Sequence, residues 1–227
     1  MKTHDKVWAV IPVKDFNKAK SRLGPVLTAD ECAALARNMA EDVVLATRAA
    51  VDVDGITLLG GNSEVEDLAA KLGCDYLEEF GDAGLSSNLN MAAKKLEKQG
   101  VRTLVIIPSD LPMLHSQDIG GLLAEAGEGL CVCPAGRDGG TNAIVITPPA
   151  AIQFCFGEES ARRHLEAGEA AGLLSKEIEL NAFSHDIDTP ADLLWFCQQA
   201  IFGRTADFLD QSGIRAKLLA KDAAIPA

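Results

Sequence analysis

Val7-Trp8-Ala9-Val10-Ile11-Pro12-Val13-Lys14 is an apolar run of strand length that stops at a proline and then releases cations. Within nine residues follow Lys14, Lys18, Lys20 and Arg22, the last two flanking Ser21. A near-continuous apolar strand is one buried on both faces, as in a parallel sheet under helices. Such a strand would deliver the basic loop to an anion, unless those cations form only a solvated face. Lys14 directly follows the strand and cannot lie far from the sheet edge. Lys18 has the weakest claim of the four.

Downstream, strand and helix patterns alternate. Thr28 with Glu31 forms a capping-box signature before Cys32, Leu35, Ala36, Met39, Val43 and Val44 at helical spacing, so a helix runs to about Arg48. Gly55–Leu59 reads as a buried strand, Ser63–Leu72 as a helix closed by Gly73, and Cys74–Leu77 as another strand. Residues 78–90 carry three acids, two glycines, two serines and two asparagines, which predicts a loop ahead of a helix at Met91–Gln99. Leu104–Ile107 is the most apolar strand and runs into Pro108-Ser109-Asp110-Leu111-Pro112. A helix capped by Ser116, strands at Leu130–Cys133 and Ala143–Ile146, and a helix through His164 come next. An edge strand at Ile178–Leu180 precedes a helix with Thr189 as cap and Pro190 in its first turn. The alternation predicts an α/β fold with a mostly parallel, Rossmann-like sheet and helices on both faces. Residues 1–202 would form the main domain and 203–227 a polar helical tail.

The 227 residues, nearly half of them apolar, are enough for a substantial core. A net charge of −12 argues against nucleic acid or an anionic membrane as partner. The six cysteines are scattered in apolar segments, which predicts reduced core thiols in a cytoplasmic protein, and the lone pair Cys131 and Cys133 lacks the second pair a zinc site needs. No apolar run is long enough for a membrane helix.

In open α/β sheets ligands sit beyond the carboxyl ends of strands. The basic loop, Asp110 and Asp188 should meet there, and two acids among cations suggest a divalent metal such as Mg²⁺ bridging phosphates. Either acid could equally be a helix-cap or turn residue. Gly139-Gly140-Thr141-Asn142 could be a hairpin turn, or could offer Thr141 and Asn142 as donors to a carboxylate or phosphate. Gly157 with Ser160 at a helix start is compatible with anion binding. His164, beside Arg162 and Arg163, reads as part of an exposed polar face. No nucleophile triad and no Walker loop is present.

The ordered set of Ile11-Pro12-Val13-Lys14, Ala19-Lys20-Ser21-Arg22-Leu23, Pro108-Ser109-Asp110-Leu111-Pro112, Gly140-Thr141-Asn142-Ala143, Phe156-Gly157 through Ser160 to His164, and Asp186-Ile187-Asp188-Thr189-Pro190 resembles the CofC/FbiD family. These are guanylyltransferases of coenzyme F420 biosynthesis, related to MobA-like nucleotidyltransferases. The resemblance covers about residues 7–196 and implies a GT-A-like, nucleotide-diphospho-sugar transferase fold. It also implies transfer of GMP from GTP to phosphoenolpyruvate, 2-phospho-L-lactate or 3-phosphoglycerate. Asp110 and Asp188 would hold Mg²⁺ and act in catalysis with Lys20. Pro12, Val13, Lys14, Lys20 and Arg22 would hold the GTP phosphates. Asn90 would contact base or ribose, and Thr141, Gly157 and Ser160 would bind the phospho-acid. The expected partners are thus GTP and the acid, with a homodimer allowed. A relative acting on molybdopterin or a sugar phosphate, or a non-catalytic nucleotide sensor, are the competing readings.

Overall fold

The structure is a computed structural model describing residues 5–81, 83–136 and 139–223. His4, Arg137 and Asp138 lie outside the described residues.

Strand β1 (Val7–Pro12) lies inside a seven-stranded sheet that also contains β2 (Gly55–Gly60), β3 (Asp75–Glu78), β4 (Thr103–Ile106), β5 (Leu130–Pro134), β6 (Thr141–Ile146) and β7 (Ser175–Glu177). Their spatial order is β3-β2-β1-β4-β6-β5-β7. Parallel pairing joins β1 to β2 and β4, β2 to β3, and β5 to β7, while β6 runs antiparallel to both its neighbours. The sheet is therefore mostly parallel, as expected. Alternate residues of β1 serve the two faces. Ala9 and Ile11, with Val13 just after the strand, point into one core, and Val10 with the partly buried Trp8 into the other.

The first core is covered by α1 (Ala29–Ala49), α2 (Ser63–Leu72), α4 (Ser116–Ala126) and α6 (Pro190–Gln198), the second by α3 (Gly84–Lys98) and α5 (Ser160–Ala170). The capping box of α1 is present: the Glu31 N–H donates to Thr28 Oγ1 at 3.2 Å and the Thr28 N–H to Glu31 Oε2 at 2.7 Å. Its apolar stripe, Leu35, Met39 and Val43, is fully buried. Each such side chain contributes about 1.5–3 kcal/mol relative to leaving it in water.

Four sequence expectations shift. Helix α3 starts at Gly84 instead of Met91, so Asn88 and Asn90 are helical. The polar run reads as a loop by composition, but Asn88 is buried and accepts the Phe80 N–H at 2.8 Å, a partner supplied by the turn before the helix. Helix α4 is capped at His115, whose N–H donates to Asp118 Oδ2 at 2.8 Å, and Ser116 is its first residue. The edge strand β7 lies at Ser175–Glu177, three residues earlier than expected, in register with β5. Finally, His164 is fully buried, not exposed.

Residues after Gly203 form α7 (Arg204–Gln211) and α8 (Ile214–Ala223). Leu209, Ile214 and Leu218 of these helices belong to the first core. The carboxylate of Asp42 on α1 accepts the N–H groups of Arg204 and Thr205 at 2.8 and 2.9 Å, capping α7 from outside its own chain segment.

The chain leaves β1 for β2 on one side and finds β4 on the other, so the strand order reverses between β1 and β4. At such a switch point a crevice opens beyond the carboxyl ends of the two strands.

Candidate active site

Two buried side chains anchor the basic loop. Phe16 and Leu23 sit in the first core, one in each of two short 3₁₀ turns at Phe16–Lys18 and Ser21–Leu23. Between them Lys20 adopts a left-handed backbone (φ 56°, ψ 32°). For a non-glycine residue that conformation costs about 1–2 kcal/mol and persists where surroundings over-determine it. Here they do: Lys20 Nζ lies 2.7 Å from Asp110 Oδ2 and 2.7 Å from Asp188 Oδ1, with only 8 % of the side chain exposed.

Burial by itself would pull the Lys20 pKa down. Attraction from Asp110 and Asp188, with the hydrogen bonds to both, outweighs it and holds the ammonium above its ordinary range. Burial likewise pushes Asp188 up, and Lys20, then Lys14 and Arg22, bring it below its usual value. Both groups are therefore charged at neutral pH. Asp110 follows β4, and its carbonyl accepts the Ile187 N–H at 3.2 Å, which ties the two acidic segments together. Asp188 is held in turn by Asp192 of α6, whose Oδ2 accepts the N–H groups of Asp188 and Thr189 at 3.1 and 2.7 Å.

Lys20, Asp110 and Asp188 line a cleft of about 450 Å³, together with Pro12, Val13 and Lys14. Arg22 stands at its edge, 3.9 Å from Asp188 Oδ2 and 76 % exposed. Lys18 points away and pairs with Asp15 at 3.5 Å. Thr141, Phe156, Glu79, Gly81, Leu85 and Asn88 line the same cleft. Burial raises the Glu79 pKa.

The other expected residues do not reach the cleft surface directly. Ser160 is fully buried behind Thr141, its Oγ 2.9 Å from Thr141 Oγ1. Gly157 is exposed at φ 128°, in the turn ahead of α5. The Asn90 carboxamide is committed to Phe154, accepting its N–H at 2.8 Å and donating to its carbonyl at 3.3 Å. Ser86 Oγ accepts the Phe156 N–H at 2.9 Å. Asn90 and Ser86 thus brace from α3 the segment that carries Phe156 to the cleft. Asn142 is likewise buried, donating to the Phe183 carbonyl at 2.7 Å. Sequence reasoning missed the roles of Asn88, Asp192 and His164. Only the capping-box spacing of Asp192 after Thr189 could have pointed to one of them.

The mostly parallel seven-stranded sheet with helices on both faces is the fold of nucleotide-diphospho-sugar transferases. A proposed transferase of that kind from Desulfovibrio desulfuricans superposes with a TM-score of 0.76 at 19% identity, over 93% of this chain and 97% of its own. A nucleotidyl transferase from Methanothermobacter thermautotrophicus gives 0.63 at 14% identity, over 91% and 99%.

The chain belongs to the CofC-like guanylyltransferases: the family model described as "Guanylyl transferase CofC like" matches residues 7–222. The match runs beyond the expected limit near residue 196 and takes in α7 and most of α8. Among its relatives, a phosphoenolpyruvate guanylyltransferase of Sphaerobacter thermophilus is 36% identical over 88% of this chain and 96% of its own. A 2-phospho-L-lactate guanylyltransferase of Methanothermobacter thermautotrophicus is 32% identical over 83% and 82%. A 3-phospho-D-glycerate guanylyltransferase of Phenylobacterium zucineum is 31% identical over 88% and 94%.

Proposed function

We propose that the protein transfers GMP from GTP to a small phosphorylated acid in coenzyme F420 biosynthesis, the acid being phosphoenolpyruvate, 2-phospho-L-lactate or 3-phosphoglycerate. The observation that carries this is the Asp110–Lys20–Asp188 bridge lining the same cleft as Thr141. An oxygen of the acceptor phosphate attacks the α-phosphorus of GTP, the bond from that phosphorus to the β-phosphate oxygen breaks, and pyrophosphate leaves. The acceptor phosphate is already ionised at neutral pH, so no general base is required. What remains for the protein is positioning and charge neutralisation. Lys14, Lys20 and Arg22 supply fixed or nearby positive charge for the triphosphate, with Pro12 and Val13 shaping the loop that presents it. Thr141 meets the acceptor, and Gly157 and Ser160 support it.

Mg²⁺ fits the donor set. Asp110 and Asp188 already converge on a single cationic point, and among the described residues no group of three His, Cys, Asp or Glu is placed to hold a metal. Two carboxylates plus phosphate oxygens and water are how Mg²⁺ is usually held. When bound, it would neutralise charge on the triphosphate. GTP and the acid are the proposed partners. Among the described residues no helix is long and apolar enough to cross a membrane. A cytoplasmic setting, in which the six unpaired cysteines stay reduced, suits the chain.

Incubating the pure protein with GTP, Mg²⁺ and each of the three acids should release pyrophosphate with at least one of them. Release only with molybdopterin or a sugar phosphate, or with none, would overturn the reading.

A further inference from the structure

His164 is fully buried on α5, yet it is one hydrogen bond from a residue that lines the cleft. Its Nε2 accepts the backbone N–H of Cys155 at 2.9 Å. A ring nitrogen that accepts from an amide carries no proton, so the remaining proton of the imidazole is on Nδ1. Nδ1 lies 3.1 Å from Thr141 Oγ1 and therefore donates to it. The Ser160 hydroxyl, buried beside it, meets the same oxygen at 2.9 Å. A hydroxyl has two lone pairs and one proton. With His164 donating to one lone pair, Thr141 Oγ1 does not give its proton to the ring and keeps that proton and its second lone pair for Ser160 Oγ and the cleft.

We infer that His164 is a positioning residue for the acceptor: its Nδ1–H takes one lone pair of Thr141 Oγ1, the Ser160 hydroxyl donates to the other, and Thr141 presents its own proton to an anionic oxygen of the phospho-acid. The inference rests on the phospho-acid reading of the cleft. Burial, and then the charge of Arg163, lowers the His164 pKa to about 4, so the ring stays neutral at working pH. The rings of Phe154 and Phe156 stand edge-on to the imidazole, at 6.1 and 5.0 Å between centroids, and limit its rotation. This accounts for a buried histidine that the phosphoryl chemistry itself does not need.

The test compares the wild type with H164L, which fills the space without a donor, and H164N, whose amide can replace the Nδ1–H. Steady-state constants are measured for GTP and for whichever of the three acids the wild type turns over. H164L should raise KM for the acid about tenfold, the loss of one neutral hydrogen bond to an anion, and leave KM for GTP within about twofold. H164N should stay within about threefold of wild type for both. Nitrogen-15 NMR of the wild-type imidazole should show a protonated Nδ1 and a bare Nε2. Equal rises in both KM values, a loss confined to kcat, or a protonated Nε2 would overturn the assignment. If H164L does not fold, loss of acid affinity in soluble H164N overturns it, and wild-type affinity together with the Nδ1–H tautomer supports it. Turnover with none of the acids would remove the functional reading and this inference with it, whereas turnover with an unchanged acid KM in H164L removes this inference alone.

Discussion

At the level of single residues the site is a charge balance around one ammonium. Lys20 sits 2.7 Å from each of two carboxylates, so removing either acid leaves a buried cation with half its compensation. Asp110→Asn and Asp188→Asn are near-isosteric and should keep the fold, checked by circular dichroism. Turnover measured by pyrophosphate release should drop at least about a hundredfold, the scale on which loss of a well-placed electrostatic group acts. Unchanged rates would remove both acids from the mechanism. His164 makes a separate prediction through pH. Its folded-state pKa, about 4, lies below the ordinary 6.5, so between these values the unfolded chain binds more protons than the folded one. Stability must then fall as pH drops through that window, by at most about 3 kcal/mol from this group. Urea unfolding at pH 7 and pH 4.5 should show a smaller loss in H164N than in wild type. The basic loop and Asp110 were legible because each follows an apolar strand, and Asp188 because it stands just before the Thr189–Pro190 helix start. The burial of His164 was not, because it depends on α5 packing against the start of β6 and the 154–156 segment.

Among elements, the connections that set the site are made by caps and braces between helices. Asp42 on α1 caps α7 through two backbone N–H groups, and Glu41 beside it approaches Arg204 Nε at 3.1 Å and Lys71 Nζ at 2.8 Å. Asp42→Ala should lower stability by about 1–2 kcal/mol, the usual cost of losing an N-cap. Thermal unfolding would report it, and an unchanged midpoint would mean that α7 is held by its apolar face alone. Helices α1 and α6 follow their capping signals to the residue, because a cap is a local hydrogen-bond pattern within four residues. Helix α3 begins seven residues ahead of expectation, because its first two turns are stabilised by Phe80 and the 154–156 segment and not by their own composition.

Over the whole molecule, two cores clamp one sheet, and the segment after Gly203 shares the first of them. Leu209, Ile214 and Leu218 pack there, and Arg215 donates to the Cys197 carbonyl at the end of α6 at 2.7 Å. Deleting residues 203–227 should expose the facing surfaces of α1 and α6 and give an aggregating or molten protein, seen by size exclusion and loss of cooperative unfolding. A truncated chain with a sharp, near-wild-type transition would instead establish 1–202 as an independent domain. The strand order places the cleft, since the reversal between β1 and β4 is what separates the loops after them.

The amino-acid sequence by itself determined the alternation of strands and helices, the parallel character of the sheet and the three loops gathered at its edge. Those features are written in short-range apolar periodicity and in the residues that follow each strand. Tertiary structure alone decided that Lys20 lies between Asp110 and Asp188, that Asn90 braces Phe154, and that His164 stands behind Thr141. Each of those contacts joins residues far apart in the chain or turned inward by packing. Their geometry depends on which side chains the fold leaves facing one another, which no local pattern encodes.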